Sequence, residues 1–360
     1  MAAVRRVLNS EFLGMGVEVA EFEQKLEQFF GNPVVCVNTG TAALQLALSA
    51  NGVSVGDEVL VPSLTYVATY QAISAIGAIP VSCDVQMNDL QIDITDASMK
   101  VTSKTKAIVP VYFSGATNSA GRVWKFAELH NLVNIPDAAH AFGSSYKGER
   151  IGSGEGTHVF SFDGIKNITS GEGGVIVSSD SEVIRKVKDA RLLGVIGDSE
   201  NRFKRERTWD FDVESQGWRY HMSDLFAAIG KVQLDRFDEL AEIRKSLFIG
   251  YQKLFKDNLR IRLFDWEIHD GMVPHIFVIQ IPGMKNRQEL RENMAAKGIP
   301  TGIHYKPNHL LTFYSCPKVF LPVTEAIYPE ILTLPLHPRL TQKDIEKVAF
   351  DLSEILENDA

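Results

Sequence analysis

The chain has 360 residues, of which 45% are hydrophobic and 23% charged, a composition that is typical of globular proteins and excludes a disordered chain. Its net charge of -8 includes no basic stripe, which argues against nucleic acid or an anionic membrane as the main partner. Three widely spaced cysteines, no apolar run of membrane-spanning length and no signal-peptide pattern lead us to expect a soluble cytoplasmic protein without a disulfide framework or metal site.

The predicted elements alternate between helix and strand through most of the chain. Helical periodicity covers residues 4–8, 17–30, 41–48 and 120–130, and β-type runs cover residues 34–37, 58–62, 79–85, 107–113, 133–136, 158–162 and 174–178. Strand–helix repeats of this length predict a mainly parallel sheet with crossover helices. Such sheets bind ligands beyond the carboxyl ends of their strands, so residues that follow a strand are the first candidates for a site.

A turn at residues 38–41 (NTGT) connects the first strand to a helix. Gly40 and Thr41 offer a hydroxyl and unpaired backbone N–H groups, and the helix dipole favours an anion there, so the turn can hold a phosphate. Plain helix capping is the alternative, and it is the commoner role of such a turn.

Other polar residues follow later strands. Tyr66 lies in a polar turn that enters a helix, where it can stack on a flat ligand, although a tyrosine more often packs against its neighbours. Asp137 and His140 are separated by two alanines. An aspartate there can hold a protonated ring nitrogen and the histidine a phenolic oxygen. A helix cap and a core histidine are the alternatives.

The stretch 157–178 (THVFSFDGIKNITSGEGGVIVS) contains one lysine, Lys166, between two β-type runs. Glycines at 171, 173 and 174 let the backbone approach a bound molecule closely, as a lysine that faces a ligand would need. An exposed hairpin with a solvated lysine explains this stretch equally well when it is taken alone.

The pattern changes at residue 223, where a long helical run begins, and we place a domain boundary within it. The sequence thus predicts a large α/β domain at 1–240 and a smaller α+β domain at 241–360. In the smaller domain we expect strands at 275–281 and 302–305, a helix that opens at the capping box 286–289, and a closing helix at 341–356.

Taken together, these features match the requirements of pyridoxal 5'-phosphate. A lysine forms a Schiff base with its aldehyde, an acid keeps its pyridine nitrogen protonated, and a helix N-terminus holds its phosphate. Each feature alone has an ordinary structural explanation, and the combination favours the cofactor.

The same passages resemble the DegT/DnrJ/EryC1/StrS family of nucleotide-sugar aminotransferases, which are fold-type I pyridoxal phosphate enzymes. The resemblance extends from about residue 9 to the last helix. It is carried by residues 22–23 (FE), 38–44 (NTGTAAL), 56–59 (GDEV), 65–68 (TYVA), 137–140 (DAAH), 161–166 (SFDGIK), 171–174 (GEGG) and 304–305 (HY). The fold class that it implies is α/β, with a mainly parallel central sheet in the large domain.

The resemblance implies one contact for each part of the cofactor. The implied contacts are Lys166 with the aldehyde carbon and as proton carrier, Asp137 with the pyridine nitrogen, His140 beside the ring oxygen, Tyr66 over one ring face, and Gly40, Thr41 and Ser161 with the phosphate.

The resemblance also implies a homodimer with shared active sites, because in this family a residue of a second subunit usually completes the phosphate site. Arg219 stands where the family often has asparagine. It can serve the cofactor phosphate from the partner subunit or a substrate phosphate, and a surface salt bridge is its ordinary alternative. His304, Tyr305 and His309 are implied as a wall of the sugar-nucleotide pocket, with packing of the small domain as the alternative.

The implied reaction moves an amino group, from glutamate by family resemblance, to a keto sugar of a nucleoside diphosphate sugar. The reaction would yield 2-oxoglutarate, with pyridoxamine 5'-phosphate as intermediate, and would serve amino-sugar biosynthesis for lipopolysaccharide, O-antigen or a glycosylated metabolite. A non-catalytic or regulatory sugar-nucleotide-binding member of the same fold is the competing interpretation. Such a descendant tends to lose Lys166 or Asp137, and this chain has both.

Overall fold

The computed structural model describes residues 1–206, 209–266, 268 and 271–358. The helices of the N-terminal part are α1 (Ala2–Asn9), α2 (Val17–Phe30), α3 (Gly40–Ala50), α4 (Val67–Ala75), α5 (Ile94–Met99), α6 (Ala120–Leu129), α7 (Ser181–Ala190), α8 (Asp198–Phe203) and α9 (Asp224–Asp235). Its strands are β1 (Val34–Val37), β2 (Glu58–Pro62), β3 (Ile79–Cys83), β4 (Thr105–Ile108), β5 (Val133–Asn134), β6 (Ser145–Tyr146), β7 (Glu149–Arg150), β8 (Thr157–Ser161) and β9 (Gly174–Ser178).

The C-terminal part is smaller and mixes helices with two strands. Its elements are α10 (Phe237–Phe255), β10 (Phe277–Gln280), α11 (Arg287–Ala296), α12 (Pro322–Ile327), β11 (Ile331–Leu334) and α13 (Gln342–Asn358). Strands β10 and β11 pair antiparallel, and their inner faces share a buried core with α10 and α13. No helix in the described part of the chain is both long and apolar enough to span a membrane.

Two groups of strands meet at Asp137 to form the central sheet. The order β3-β2-β4-β5 is parallel throughout, and β9 pairs antiparallel with both β1 and β8. Asp137 forms parallel bridges to Val111 on one side and Val159 on the other, which joins the groups edge to edge. The predicted mainly parallel sheet is therefore confirmed, with β9 as its antiparallel member.

Helix α3 packs against this sheet and is apolar nearly all round. Leu44, Ala47 and Leu48 are buried with β-strand residues Val35 and Val159 in one cluster. A helix hydrophobic on all faces is stable only when it is covered on all sides. This packing fixes the N-terminus of α3 beside the ends of β1 and β8.

The helical run predicted from residue 223 is two helices, α9 and α10, that are separated at Arg236. The backbone of Arg236 leaves the helical region (φ -105°, ψ 6°), which turns the next side chain, Phe237, inward. Phe237 packs edge-on against Phe29 and Phe142, and a Cβ at Gly143 would lie 1.9 Å from its ring. Aromatic packing thus explains the break between α9 and α10, where the sequence contains neither proline nor glycine.

Two predicted strands differ from the structure. Strand β4 ends at Ile108, and the remainder of the predicted run 107–113 leads into a 3₁₀ turn in which Ser114 has φ 61°. The predicted strand 302–305 is wrong, because only Gly302 pairs, through one bridge to Thr333. The run 302–305 lacks a continuous neighbour to bond with, whereas the run 107–113 keeps only single contacts after Ile108, such as the bridge of Val111 with Asp137, before the chain turns.

The small C-terminal part is attached to the strand ends of the large part by buried polar contacts. Asn308 donates from its side-chain nitrogen to the carbonyls of Ser63 and Thr65, at 3.1 and 2.8 Å. The Asp84 carboxylate accepts from the backbone N–H groups of Val323 and Thr324, at 2.9 and 2.7 Å. These contacts hold the small part against the carboxyl ends of β2 and β3.

Candidate active site

The predicted phosphate turn has the geometry of an anion cradle. Thr39 caps α3, and its hydroxyl accepts the N–H of Ala42 at 3.0 Å, while the first N–H groups of the helix stay outside its hydrogen-bond ladder. Ser161, at the end of β8, faces this turn. A Cβ at Gly40 would lie 2.8 Å from the Ser161 Cβ and 3.0 Å from its Oγ, so only glycine permits this approach.

Asp137 is buried at the junction of the two strand groups, and each of its two carboxylate oxygens accepts one hydrogen bond. Its Oδ2 accepts from the Thr69 hydroxyl at 2.8 Å and its Oδ1 from the Ala139 N–H at 3.1 Å. Burial raises the pKa of Asp137, although these two hydrogen bonds and the charge of Lys166 counteract the rise. A cation placed against this carboxylate would relieve the cost of its burial.

Lys166 is half-buried in the loop after β8, where its backbone N–H bonds to the Asp163 carbonyl at 3.0 Å. Burial lowers the pKa of Lys166, while the charges of Asp137 and Asp163 raise it. The net shift is downward, which makes the neutral amine more accessible than in water. The charges of Lys166 and Asp137 thus act on each other, and each favours the ionised form of the other.

His140 and Tyr305 connect the two parts of the chain above Asp137. The Tyr305 hydroxyl lies 2.9 Å from Nε2 of His140, and the Tyr305 ring lies 5.5 Å from that of Tyr66. Burial, then the charges of Lys166 and His304, hold the pKa of His140 well below its usual range. His140 is therefore a neutral hydrogen-bonding group, and its Nδ1 is buried without a partner among the described residues. Tyr66 itself is 58% exposed and can receive a ring.

The three residues predicted to line the sugar pocket lie in different surroundings. Tyr305 lies against His140 and Tyr66, and the neighbouring His304 bonds through Nδ1 to the Thr333 hydroxyl at 2.9 Å. His309 is buried, with Nδ1 2.6 Å from the Ser63 hydroxyl and Nε2 3.2 Å from Glu325. Both ring nitrogens of His309 are thus already bonded to protein, and its contact with sugar stays a prediction.

Arg219 is exposed and forms a backbone bridge with Leu192. Within the described residues it makes no ion pair, and it lines a pocket of about 160 Å³ together with Trp209 and Phe211. The alternative of a surface salt bridge therefore has no support in this part of the chain.

A cleft of about 970 Å³ lies at the opposite edge of the sheet, between α6 and the β6–β7 hairpin. Asn134 and His158 line it from the starts of β5 and β8. None of the predicted site residues lines this cleft. Ligands of such sheets bind at the carboxyl ends of the strands, so this cleft is not the candidate active site despite its size.

Two contributors to the site were absent from the sequence prediction. Thr69 holds Asp137, and the only hint was a threonine in the first turn of a helix that follows a strand. His275 lies with its ring 4.4 Å from that of His140 and is 3% exposed. It comes from residues far along the chain, and no local pattern indicates this contact.

The residues present fit pyridoxal phosphate part by part. The cradle of Gly40 and Ser161 suits a phosphate, Asp137 suits a protonated ring nitrogen, Lys166 suits an aldehyde, and Tyr66 suits a ring face. The α/β fold places all four at the carboxyl ends of one sheet. Fold and site together define a pyridoxal phosphate-dependent enzyme of fold type I.

The family follows from comparison with known proteins. The model of the DegT/DnrJ/EryC1/StrS aminotransferase family matches residues 1–353, so the chain belongs to this family. It is therefore a transaminase, and pyridoxal phosphate is its cofactor.

Solved structures agree with this membership. DesV of S. venezuelae, solved with a ketimine intermediate, is 31% identical with a TM-score of 0.89, covering 98% of this chain and 93% of that one. The putative sugar aminotransferase Spr1654 of Streptococcus pneumoniae, in its PLP form, is 29% identical (TM-score 0.90; 99% and 95% covered). PseC of Helicobacter pylori, an aminotransferase involved in the biosynthesis of pseudoaminic acid, is 27% identical (TM-score 0.88; 99% and 96% covered).

Proposed function

We propose that this transaminase moves an amino group from glutamate to a keto sugar of a nucleoside diphosphate sugar. The observation that carries the proposal is that the charges of the half-buried Lys166 and the buried Asp137 act on each other, and that Lys166 follows the strand β8, whose last residue faces the anion cradle at Gly40. The similarity to proteins described as sugar aminotransferases supports the sugar as acceptor.

Lys166 acts as the proton carrier in this proposal. Bound pyridoxal phosphate supplies a carbonyl that exchanges its oxygen for nitrogen and a ring that accepts electrons. Lys166 would take the proton from the α-carbon of the amino donor and return it to the carbon that carries the aldehyde in the free cofactor. Burial favours this role because it lowers the pKa of the lysine and leaves a larger neutral fraction.

Asp137 and His140 hold the ring in register. The carboxylate, fixed by Thr69 and the Ala139 N–H, keeps a proton on the ring nitrogen, since two donors already stabilise its charged form. His140, neutral and bonded to Tyr305, donates or accepts at the ring oxygen. Tyr305 and His304 then form the wall on the sugar side.

The same proposal makes the active enzyme a homodimer with shared sites. Arg219 adjoins a set of exposed apolar side chains, 44–84% exposed, that a monomer would leave in water: Leu193, Ile196, Trp209, Phe211 and Val213. A second copy that covers this surface would bring Arg219 to the partner's phosphate cradle. We also place the enzyme in a reducing cytoplasm, which its free cysteines Cys36, Cys83 and Cys316 fit, in amino-sugar biosynthesis for lipopolysaccharide, O-antigen or a glycosylated metabolite.

The test is spectroscopic. The visible absorbance of the purified holoenzyme is recorded, glutamate is added, and a panel of nucleotide keto sugars is then offered. We expect glutamate to convert the absorbance of the aldehyde form to that of the amino form, and one keto sugar to restore it. If no amino donor changes the spectrum, the transaminase mechanism is wrong; if glutamate changes it but no sugar restores it, the proposed acceptor is wrong.

Lys166→Ala tests the proton carrier directly. We expect this variant to retain cofactor through the phosphate cradle and to lose at least about 10³-fold in the glutamate half-reaction, since one general acid–base group is removed. The matched control is Lys147→Ala, at an exposed lysine on the turn between β6 and β7. Turnover by Lys166→Ala at the control's rate would refute the assignment.

A further inference from the structure

A buried ion pair lies beneath the phosphate turn and touches none of the reacting groups. Glu23 on α2 is 5% exposed, and Arg191, which follows α7, has no exposed surface. Nη1 of Arg191 donates to Oε1 of Glu23. Removing two charges from water is costly, and a buried ion pair often adds no net stability to the fold. Stability alone therefore does not explain this pair.

The pair holds the backbone of the strand that leads into the phosphate turn. Oε1 of Glu23 accepts the N–H of Cys36 at 2.7 Å, and Nη1 of Arg191 donates to the carbonyl of Cys36 at 2.8 Å. Cys36 lies on β1, the last strand of its group, with β9 on one side only. Glu23 and Arg191 therefore do for Cys36 what a neighbouring strand would do.

The backbone of Arg191 holds the segment that presents Arg219. Its carbonyl accepts the N–H of Tyr220 at 3.0 Å, and the carbonyl of Tyr220 accepts the N–H of Asn38 at 2.7 Å. Arg191 is thus bonded to β1 through its side chain and to the Arg219 segment through its main chain. Asn38, the first residue of the phosphate turn, closes the loop of contacts.

We propose that the Glu23–Arg191 pair is a positioning device that fixes the phosphate turn relative to the segment carrying Arg219. This inference rests on the proposed function, in which the turn holds this chain's own cofactor phosphate and Arg219 reaches the cofactor phosphate of the partner subunit. Without the pair, β1 loses its outer restraint at Cys36, two residues before the turn. The N–H groups of Gly40 and Thr41 then lose their fixed aim at the phosphate.

The experiment compares two ligands that differ only in the phosphate, pyridoxal 5'-phosphate and pyridoxal, titrated into cofactor-free protein and followed by absorbance. Glu23→Gln keeps an oxygen for Cys36 but removes the charge that Arg191 meets. We expect its ratio of pyridoxal phosphate affinity to pyridoxal affinity to fall about tenfold, while its pyridoxal affinity stays within about twofold of the wild type. A merely structural role would weaken both ligands alike.

The matched control is Glu18→Gln on the same helix. Glu18 pairs with Arg6 and Lys231 and, among the described residues, makes no hydrogen bond or ion pair with β1, so its loss removes two ion pairs from α2 without loosening the turn. We expect its affinity ratio to equal that of the wild type. A fall in this ratio as large as that of Glu23→Gln would overturn the inference, because loss of any α2 ion pair would then suffice.

Arg191→Lys is the second variant, in case Glu23→Gln does not fold. An ammonium keeps the charge but lacks the planar fork that reaches Glu23, Cys36 and Ser199 together. We expect its affinity ratio to fall about threefold or more. If the folded variants keep the wild-type ratio of the two affinities, only the positioning inference is overturned and the proposed function is unaffected. A wild-type protein that binds both ligands equally overturns the phosphate turn of the proposed function as well, which separates the two failures.

Discussion

Replacement of Asp137 by asparagine tests the electrostatic centre of the site. Asparagine preserves the shape but offers one acceptor oxygen where the carboxylate offers two. If that oxygen accepts from Thr69, the amide NH₂ faces the N–H of Ala139, which lies 3.1 Å from Oδ1 in the native protein. One buried donor is left without an acceptor, at a cost of about 1–3 kcal/mol. Relief of the buried charge offsets part of this cost, so the fold should persist.

The effect on catalysis should be much larger than the effect on stability. Loss of a preorganised charge that stabilises developing charge typically costs roughly 10²–10³-fold in rate. We therefore expect the single-turnover rate of the glutamate half-reaction to fall by about that factor at full cofactor occupancy. The rate is followed by visible absorbance, and unfolding by urea is measured in parallel.

Thr69→Ala is the matched control, because it removes a hydrogen bond to the same carboxylate and keeps the charge. We expect a loss of less than about tenfold in rate. Because the Thr69 hydroxyl lowers the pKa of Asp137, its removal raises that pKa, and the acid limb of the rate profile should move to higher pH. The reasoning is refuted if Asp137→Asn, with cofactor bound, reacts within about threefold of the wild-type rate.

Three further predictions concern the cradle, the contact between the N-terminal and C-terminal parts, and the response to acid. Gly40→Ala should weaken pyridoxal phosphate binding about tenfold or more in an absorbance titration, because the new Cβ would lie 2.8 Å from that of Ser161; unchanged affinity would place the phosphate elsewhere. Tyr305→Phe leaves Nε2 of His140 without its partner and should lower the free energy of unfolding by about 1–3 kcal/mol in urea, while cofactor content is kept. Burial lowers the pKa of His158 to about 4, whereas its pKa in the unfolded chain is near 6.5. The neutral form therefore stabilises the fold above pH 6.5, and this contribution is lost as the pH falls from 6.5 to about 4. Between about pH 7.5 and pH 5 the loss should be about 2 kcal/mol, and a His158→Gln variant should lack it.

The elements that sequence periodicity predicted best are those with a clear apolar pattern of their own. Helix α2 and strand β1 have the predicted bounds, because each carries its own apolar pattern. The run at 302–305 has a comparable pattern and is not a strand, since a strand also needs a partner and the pattern says nothing of one. The break of the long helical run at Arg236 was equally unpredictable from local sequence. It is caused by a phenylalanine cluster that is assembled from three distant segments of the chain.

The candidate site was predictable where its residues follow strands. Gly40, Asp137 and Ser161 lie at carboxyl ends of strands, a position that sheet topology alone makes chemically prominent. Thr69 and His275 could not be selected, because one lies inside a helix and the other reaches His140 from the C-terminal part of the chain. Whether His309 touches sugar and whether Arg219 enters a partner's site stay predictions, to be decided by substrate and by assembly.

The bonds between the small C-terminal part and the strand ends have a consequence for how this enzyme would select its substrate. Asn308 donates hydrogen bonds to the carbonyls of Ser63 and Thr65, and Asp84 accepts one from the first turn of α12. A hinge motion of the small part would therefore have to break several buried hydrogen bonds at once. The position of the small part against the strand ends is then fixed by the fold. Discrimination among sugars would come from which side chains project from a fixed wall, and exchange of specificity between relatives would require substitutions there without any change in the hinge.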